Sequence, residues 1–551
     1  MPPDMREWLS AGHVVWTLID AVRVLDTSGL HARCRIGGVG RAGYDPDMML
    51  TLLIYAYSQG IRSSRHIERL CWQDVACRVI CAQDVPDHST IWRFADIDPE
   101  LVQELFTEVL LLCAATGMIK LGTITLDGMK IGASAAAKAN RSEEQIRSEL
   151  AKLAAGVVAE HRATDEAEQA LFGEASGEEL PAELTDPRSR RARLRRALAE
   201  MEAARLAEQA ERDAKARQYL EQQKQAPVIG RIPVAARVEA ARHRLEQALA
   251  QQQAKVEAWQ RRNAEKIART GTGLKEKPPK PVEEHARVIK ARAALATAEK
   301  ANAVRQAKQR PTARNTTDPD SRLMPTTSGF IQGYNAQNVA TEDGFILATE
   351  LTQDTGDVQQ AIPMMAAAQA AADLVTAIHS GLAQAAGQPC TCPATSDQPD
   401  TVDADDAARP TQAACPMHPT GIGTIVMDAG YNSADNITAD GPDRLIATGK
   451  RRDVEKAAQQ AQHAAAEPAA PDPVEAMAQR LRTPDGIATY RRRGHIAETP
   501  HGHIKQNMGI RTLTRRGRSR AAAEWKLICL TVNLNRLLFT LTRTGTSIKT
   551  A

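Results

Sequence analysis

Aromatic side chains are scarce: Phe, Trp and Tyr together make up 3% of the 551 residues. Ala, Arg, Glu and Gln fill the space instead, which points to long solvated helices rather than one aromatic-rich core. Cysteine is sparse too. Nine in this length exclude a disulfide scaffold and fit a reducing compartment. No apolar run approaches the ~20 residues that a membrane span needs. Met1 to Ser10 carries Asp4, Arg6 and Glu7 and no apolar stretch, so no secretory signal is expected. These absences predict a soluble, cytoplasmic protein with no membrane partner.

A strong excess of one charge is also missing: the net charge is +3. Its distribution is more informative. Between Lys505 and Lys549 there are ten Lys or Arg and one acid, Glu524. Such a local basic field suits a polyanion such as nucleic acid, although a solvated basic tail has the same composition.

The length predicts about two to four domains. Residues 1–118 read as helical. Asp45-Pro46 opens a segment with apolar residues at Met48, Leu52, Tyr55 and Ala56, and Gly60 ends it. Ser63 or Ser64 caps a second helix through Ile67, Leu70 and Cys71. Arg62, Arg65, Arg69, Arg78 and Arg93 lie among these short helices. They fit either a helix-turn-helix-like DNA binder or a plain bundle. Leu121 to Met129 changes character: Thr123-Ile-Thr-Leu126 is a buried strand that carries Asp127 at its end. Residues 141–310 then turn Ala-, Arg-, Glu- and Gln-rich. Apolar positions such as Ile146, Leu150, Leu153 and Val157 follow coiled-coil intervals, with Gln252 a polar break in a later series. About four helices in antiparallel hairpins are expected there.

Strand character returns at Gly329, with a hairpin turning at Glu342-Asp343-Gly344. A helix from Val358 to Ser380 follows, with Asp354 and Asp357 as its entry caps and Gly381 just past its end. Residues 383–420 form a flexible Cys-containing loop. Gly423 to Met427 is a second buried strand, ended by Asp428, and Asp443 to Ala447 is a third short one. Ile496 to Ile510 and Ala521 to Phe539 read as helices. Pro500 fits only if that first helix starts near residue 498. The order of elements predicts an α/β layer with a mixed sheet, split after its first strand by a helical insertion.

Two strands thus end in Asp: Leu126-Asp127-Gly128 and Met427-Asp428-Ala429-Gly430-Tyr431. Ligands of open α/β sheets collect at such ends. Two carboxylates side by side repel unless a cation sits between them, and hard oxygen donors favour Mg²⁺ or Mn²⁺. Taken alone, a strand-end Asp serves equally as a turn former. Cys390, Cys392, Cys415 and His418 form a Cys-x-Cys … Cys-x-x-His pattern. It is read either as one structural Zn²⁺ site or as free loop residues. Asp318, Asp320 and Arg322 read as a turn beside the site.

The pattern as a whole resembles bacterial insertion-sequence transposases of the DDE type. The matching stretches are Tyr44-Asp-Pro through Trp92-Arg93-Phe94, Thr125-Leu-Asp-Gly-Met-Lys-Ile131, Thr317 to Arg322 with Gly333-Tyr-Asn-Ala-Gln337, and Asp428-Ala-Gly-Tyr431. Tyr490-Arg-Arg-Arg-Gly-His-Ile-Ala-Glu498 with Gly502-His-Ile-Lys505, and Glu524 to Leu534, also match. The resemblance implies a ribonuclease-H-like mixed sheet with flanking helices, an N-terminal all-α domain and a catalytic triad of Asp127, Asp428 and Glu498 that binds Mg²⁺ or Mn²⁺. It implies DNA contacts from Lys505, on the Glu498 face of one helix, and from Tyr490, Arg491, Arg492 and Arg493. The basic segment adds Arg511, Arg515 and Arg516. The expected partners are double-stranded DNA, as terminal inverted repeats and target, and a second copy of the chain in a homodimer or higher oligomer. The bacterial nucleoid is the expected place of action. The organisation implied is 1–118 for the N-terminal DNA-binding domain, 119–140 with 311–545 for the catalytic domain, and 141–310 for the helical insertion. An inactive relic that only binds DNA, and a nuclease that cuts without joining, are the rival readings. Asp127 and Asp428 stand 301 residues apart, a gap that the insertion and the 383–420 loop account for.

Overall fold

The computed structural model describes residues 4–34, 43–154, 187–225, 232, 236–308, 313–385, 421–461 and 472–544. The chain divides into two compact units: Met1–Asn140 with Val157–Arg190 and Arg314–Ala551, and Arg141–Gly156 with Arg191–Ala313.

The first unit begins with helices α1 (Val14–Val24), α2 (Pro46–Ser58), α3 (Ser64–Gln73), α4 (Val75–Ile80), α5 (His88–Phe94) and α6 (Pro99–Ala115). The expected start signals operate. Pro46 occupies the first turn of α2, where its missing N–H costs nothing, and the Asp45 carboxylate accepts from the Asp47 N–H. Asp87 caps α5 through the Thr90 N–H. Gly60, just past α2, has φ +76°, and a Cβ there would fall 1.9 Å from the Met508 carbonyl oxygen. Only glycine fits a backbone approach this close.

The sheet contains β1 (Thr123–Gly132), β2 (Arg322–Thr326), β3 (Gly329–Thr341), β4 (Ile346–Thr352), β5 (Thr424–Met427) and β6 (Arg444–Ile446). Its order is β4–β3–β1–β5–β6, with β2 pairing the start of β3. β3 runs antiparallel to β1 and β4, whereas β5 is parallel to β1 and β6 parallel to β5. The expected hairpin at residues 342–344 is the β3–β4 turn, where Gly344 takes φ +80°.

Helix α7 (Ala361–Ala385) does not stop at Gly381 as expected. Its stripe of Met364, Met365, Ala368, Ala372 and Val375 is buried. One interior glycine costs only about 1 kcal/mol of helix, too little to end it. By length and composition the segment Val358–Gly381 could cross a membrane. In this fold its apolar side packs into the core instead. Helices α8 (Arg451–Ala461), α9 (Pro473–Arg482), α10 (Pro484–Gly502) and α11 (Arg518–Thr544) complete the unit. The core on one face of the sheet joins α1, α2, α6, α7 and α11, so the N-terminal helices and the sheet share a single interior with no break near residue 118. On the other face Val426, Leu445 and Ala447 pack with Val454, Met477, Leu481, Ile487 and Tyr490 of α8–α10.

In the second unit the described helices are Glu143–Ala154, Pro187–Gln225, Arg237–Thr270 and Ala286–Lys308. Ile146 packs with Leu194, Ala197 and Met201 in a small buried cluster. Gln252 is buried at its polar break because its amide donates to the Lys280 carbonyl at 2.7 Å. Cys390, Cys392, Cys415 and His418, the candidate zinc ligands, lie outside the described residues.

Candidate active site

β1 runs on to Gly132, so Asp127 lies within the strand and not at the end expected for it; because side chains alternate along a strand, Asp127 is on one face and Gly128 and Lys130 are on the other. Asp428 follows the last residue of β5, the parallel neighbour of β1. Its Oδ1 accepts the Gly430 N–H at 2.8 Å and opens a tight turn through Tyr431. Helix α10 crosses over this end of the sheet and drops Arg493 between the two acids. One guanidinium nitrogen lies 2.7 Å from Asp127 Oδ1 and 3.4 Å from Asp428 Oδ2. His501 Nδ1 stands 3.5 Å from Asp127 Oδ2.

These neighbours separate the two acids electrostatically. Burial pushes the Asp127 carboxyl up, but the hydrogen bond with His501 and the charge of Arg493 outweigh burial and leave it below its ordinary value. Asp428 moves the other way. Burial raises it, Arg493 opposes, and the charges of Asp127 and Asp357 raise it again.

Asp357 is the residue the sequence left out. Expected as a helix-entry cap, it makes no cap bond. Its Oδ1 instead accepts from Asn335 at 2.7 Å, Gln337 at 2.9 Å and Lys130 Nζ at 3.2 Å. Gln337 in turn accepts from the Tyr431 hydroxyl, which ties this group to the turn after Asp428. One signal was present: Asn335 and Gln337 are polar residues at alternate positions of a strand that is otherwise buried. Asp354 does serve the helix entry, accepting from Thr352 and Gln360. Asp318 is a buried turn residue that accepts from the Tyr334 hydroxyl and the Gly517 N–H.

Glu498 is exposed on the last turn of α10 and lines a cleft of about 1350 Å³ together with Asp127, His501, His503, Lys505 and Arg536. Glu498 is therefore at the end of its helix, not its start, and Pro500 lies inside that helix. Pro500 brings no N–H to the Ile496 carbonyl, and the chain continues as a π turn over His503–Asn507. Lys505 sits on that turn. Burial and Arg511 lower its ammonium from the usual range, and Asp127 partly offsets them.

The other expected DNA contacts divide. Arg491 and Arg511 are exposed. Arg492 is engaged with Thr123 and Glu342, and Arg516 with the Ser134 carbonyl. Two expectations are corrected. Tyr490 is 4% exposed and packs in the core beneath α8–α10. Arg515 is 7% exposed, with its guanidinium 4.8 Å over the Trp92 ring. Both side chains are turned inward.

Two family models match the chain: "Transposase domain (DUF772)" over residues 4–96 and "Transposase DDE domain" over residues 451–538. No curated protein and no solved structure matches it. A transposase domain near each end supports an insertion-sequence transposase of the DDE type, a family that implies an enzyme acting on DNA. The first match covers α1–α5; the second covers Arg493, Glu498 and Lys505 and leaves Asp127 and Asp428 outside.

Proposed function

We infer that the protein cuts the ends of an insertion sequence and joins the freed 3′-hydroxyls to target DNA, with Asp127, Asp428 and Glu498 as its acidic triad. The carrying observation is the meeting of an acid within β1 and an acid just past β5, 301 residues apart in sequence, at one guanidinium, with Glu498 on the cleft that Asp127 lines. Three antiparallel strands followed by two parallel ones, with acids on adjacent parallel strands, support a ribonuclease-H-like core.

The donor set fits a hard divalent cation. Asp127 and Asp428 offer carboxylate oxygens, and glycine at 430 keeps the space beside Asp428 free, because a Cβ there would lie 2.8 Å from its Oδ1. Bound there, Mg²⁺ or Mn²⁺ would activate the attacking oxygen and stabilise the leaving one. The protein's own groups do the rest. His501 and Arg493 keep Asp127 ionised, and Lys505 on the cleft wall holds a phosphate beside the acids. Arg491 and Arg511 extend the basic surface, so DNA binding weakens steeply with salt. α1–α5 read the terminal inverted repeats, and two ends joined together require a dimer or larger assembly. Action at the bacterial nucleoid follows from that substrate.

The test is joining of end fragments of the element to a target plasmid in Mg²⁺, for wild type and Glu498→Gln. Wild-type joining that the variant lacks supports the reading. Cleavage without joining makes the protein a nuclease. Binding without cleavage makes it an inactive DNA-binding relic, and equal joining by both removes Glu498 from the triad.

A further inference from the structure

Outside the proposed triad, the most unusual polar arrangement lies on the opposite face of β1. Gly128 is walled in there by polar atoms. A Cβ added to it would fall 2.5 Å from Gln337 Nε2, 2.6 Å from Asp357 Oδ1 and 3.2 Å from Asn335 Oδ1. Asn335 and Gln337 are both fully buried. Asn335 donates to Asp357 through its nitrogen, yet its oxygen is buried with no hydrogen-bond partner. A buried acceptor left this way is destabilising unless a ligand satisfies it.

We propose that Asp357 is a fourth carboxylate of the cation site, facing Asp428 across Gly430. This rests on the reading of Asp127, Asp428 and Glu498 as a divalent-metal site. The geometry is specific. A Cβ on Gly430 would lie 2.8 Å from Asp428 Oδ1 and 3.3 Å from Asp357 Oδ2, so the two oxygens flank one point and stand no more than about 6 Å apart. Three donors hold Oδ1 of Asp357 and fix its rotamer, while Oδ2 receives no hydrogen bond from the described residues.

The test is Mn²⁺ binding by the full-length protein without DNA, followed by the electron paramagnetic resonance of free Mn²⁺. The variants are Asp357→Asn, Asp357→Glu and the neighbouring Asp354→Asn, each checked for metal-free melting temperature. Asp357→Asn is expected to bind at least tenfold more weakly, or to lose one ion, while Asp354→Asn matches wild type and Asp357→Glu recovers part of the loss. Wild-type affinity in Asp357→Asn overturns the proposal and leaves the triad intact. So does an equal loss in Asp354→Asn. If Asp357→Asn does not fold, Lys130→Gln decides: removing the counter-charge from Asp357 should tighten Mn²⁺ binding, and unchanged or weaker binding overturns the proposal. A wild-type protein that binds no Mn²⁺ retires the metal reading itself, and this inference with it.

Discussion

Replacing Arg493 by glutamine shortens the side chain, leaves a neutral amide in place of the five-donor guanidinium and removes the charge between two acids. The oxygens of Asp127 and Asp428 lie 2.7 and 3.4 Å from one guanidinium nitrogen, so they are at most about 6 Å apart. Two unit charges at that separation repel by about 3 kcal/mol at an effective dielectric of ~20. Their side chains are 21% and 40% exposed, so water screens part of this. A loss of ~1–2 kcal/mol is expected in metal-free buffer. Urea unfolding in EDTA, compared with unfolding in saturating Mn²⁺, measures it. Arg493→Gln should be the less stable protein in EDTA, and the gap to wild type should close in Mn²⁺, because a cation held by the acids replaces the missing charge. Mn²⁺ should also bind the variant more tightly, since no guanidinium competes for the same oxygens. Equal stability in EDTA would refute the bridging role, and a gap that widens in Mn²⁺ would show that Arg493 supports the cation rather than competing with it.

Two further outcomes follow from pairs away from the cleft. Glu524, 2% exposed at its side chain, accepts from Arg62 at 2.7 Å and from the Thr514 and Arg515 N–H groups. Glu524→Ala should cost about 3–5 kcal/mol, and Arg62→Met added to it should cost little more, because the uncompensated charge is then gone. Denaturant unfolding of the four-protein cycle checks this, and simple additivity would contradict it. Asp443 has its carboxyl lowered: burial raises it, but hydrogen bonds from Arg480 and Thr424 outweigh burial. A depressed acid contributes stability above its unfolded value of 3.8, and that stability is lost as pH falls through the folded value. Asp443→Asn should therefore be less stable than wild type at neutral pH and converge with it below pH 3.8, in melting curves taken across that window. A constant offset at all pH values would exclude the ionic contribution.

What the sequence made legible was local. The strand end at Asp428, the Gly344 hairpin and the Asp45-Pro46 helix start each rest on a few adjacent residues with one conformational preference, whereas the end expected at Asp127 is overridden by the pairing of β1 with β3 through Gly132. The places where the expectation failed depend on distant contacts. Tyr490 and Arg515 sit within or beside basic runs, and composition cannot separate the members that turn inward. Tyr490 stands one turn after Ile487 and shares its buried face, whereas Arg515 covers Trp92 from the other end of the chain. Gly381 carried a stop signal that the apolar stripe of α7 overrode. Asp357 was hidden because its partners come from β1 and β3, and its own neighbours in sequence suggest only a cap. The shared interior of α1, α2, α6 and α11 was hidden too, since an amphipathic pattern shows that a face is buried and not what it is buried against.

The last turn of α10 links these points. Ile487, Tyr490, Ile496 and Ala497 are buried and fix the helix on the sheet, which sets Arg493 over the acids and leaves Glu498 at the cleft. Seven residues of unbroken α-helix amount to about 700°, which would stack Lys505 within ~20° of Glu498. The chain does not continue that way: Pro500 and the π turn over His503–Asn507 change the phase, and both His501 and Lys505 still line the cleft. Pro500→Ala restores an N–H to the ladder and removes a ring that costs a helix interior about 3 kcal/mol. The variant should be at least as stable as wild type in thermal melts, while Lys505 moves off its present place on the wall. Joining of element ends should then fall even though every acid is intact, and phosphate-dependent binding should lose part of its salt dependence. A variant both stabler and fully active would mean that the break in α10 is incidental to the site. Lower stability would mean that the proline fits its turn better than an ordinary helical residue does.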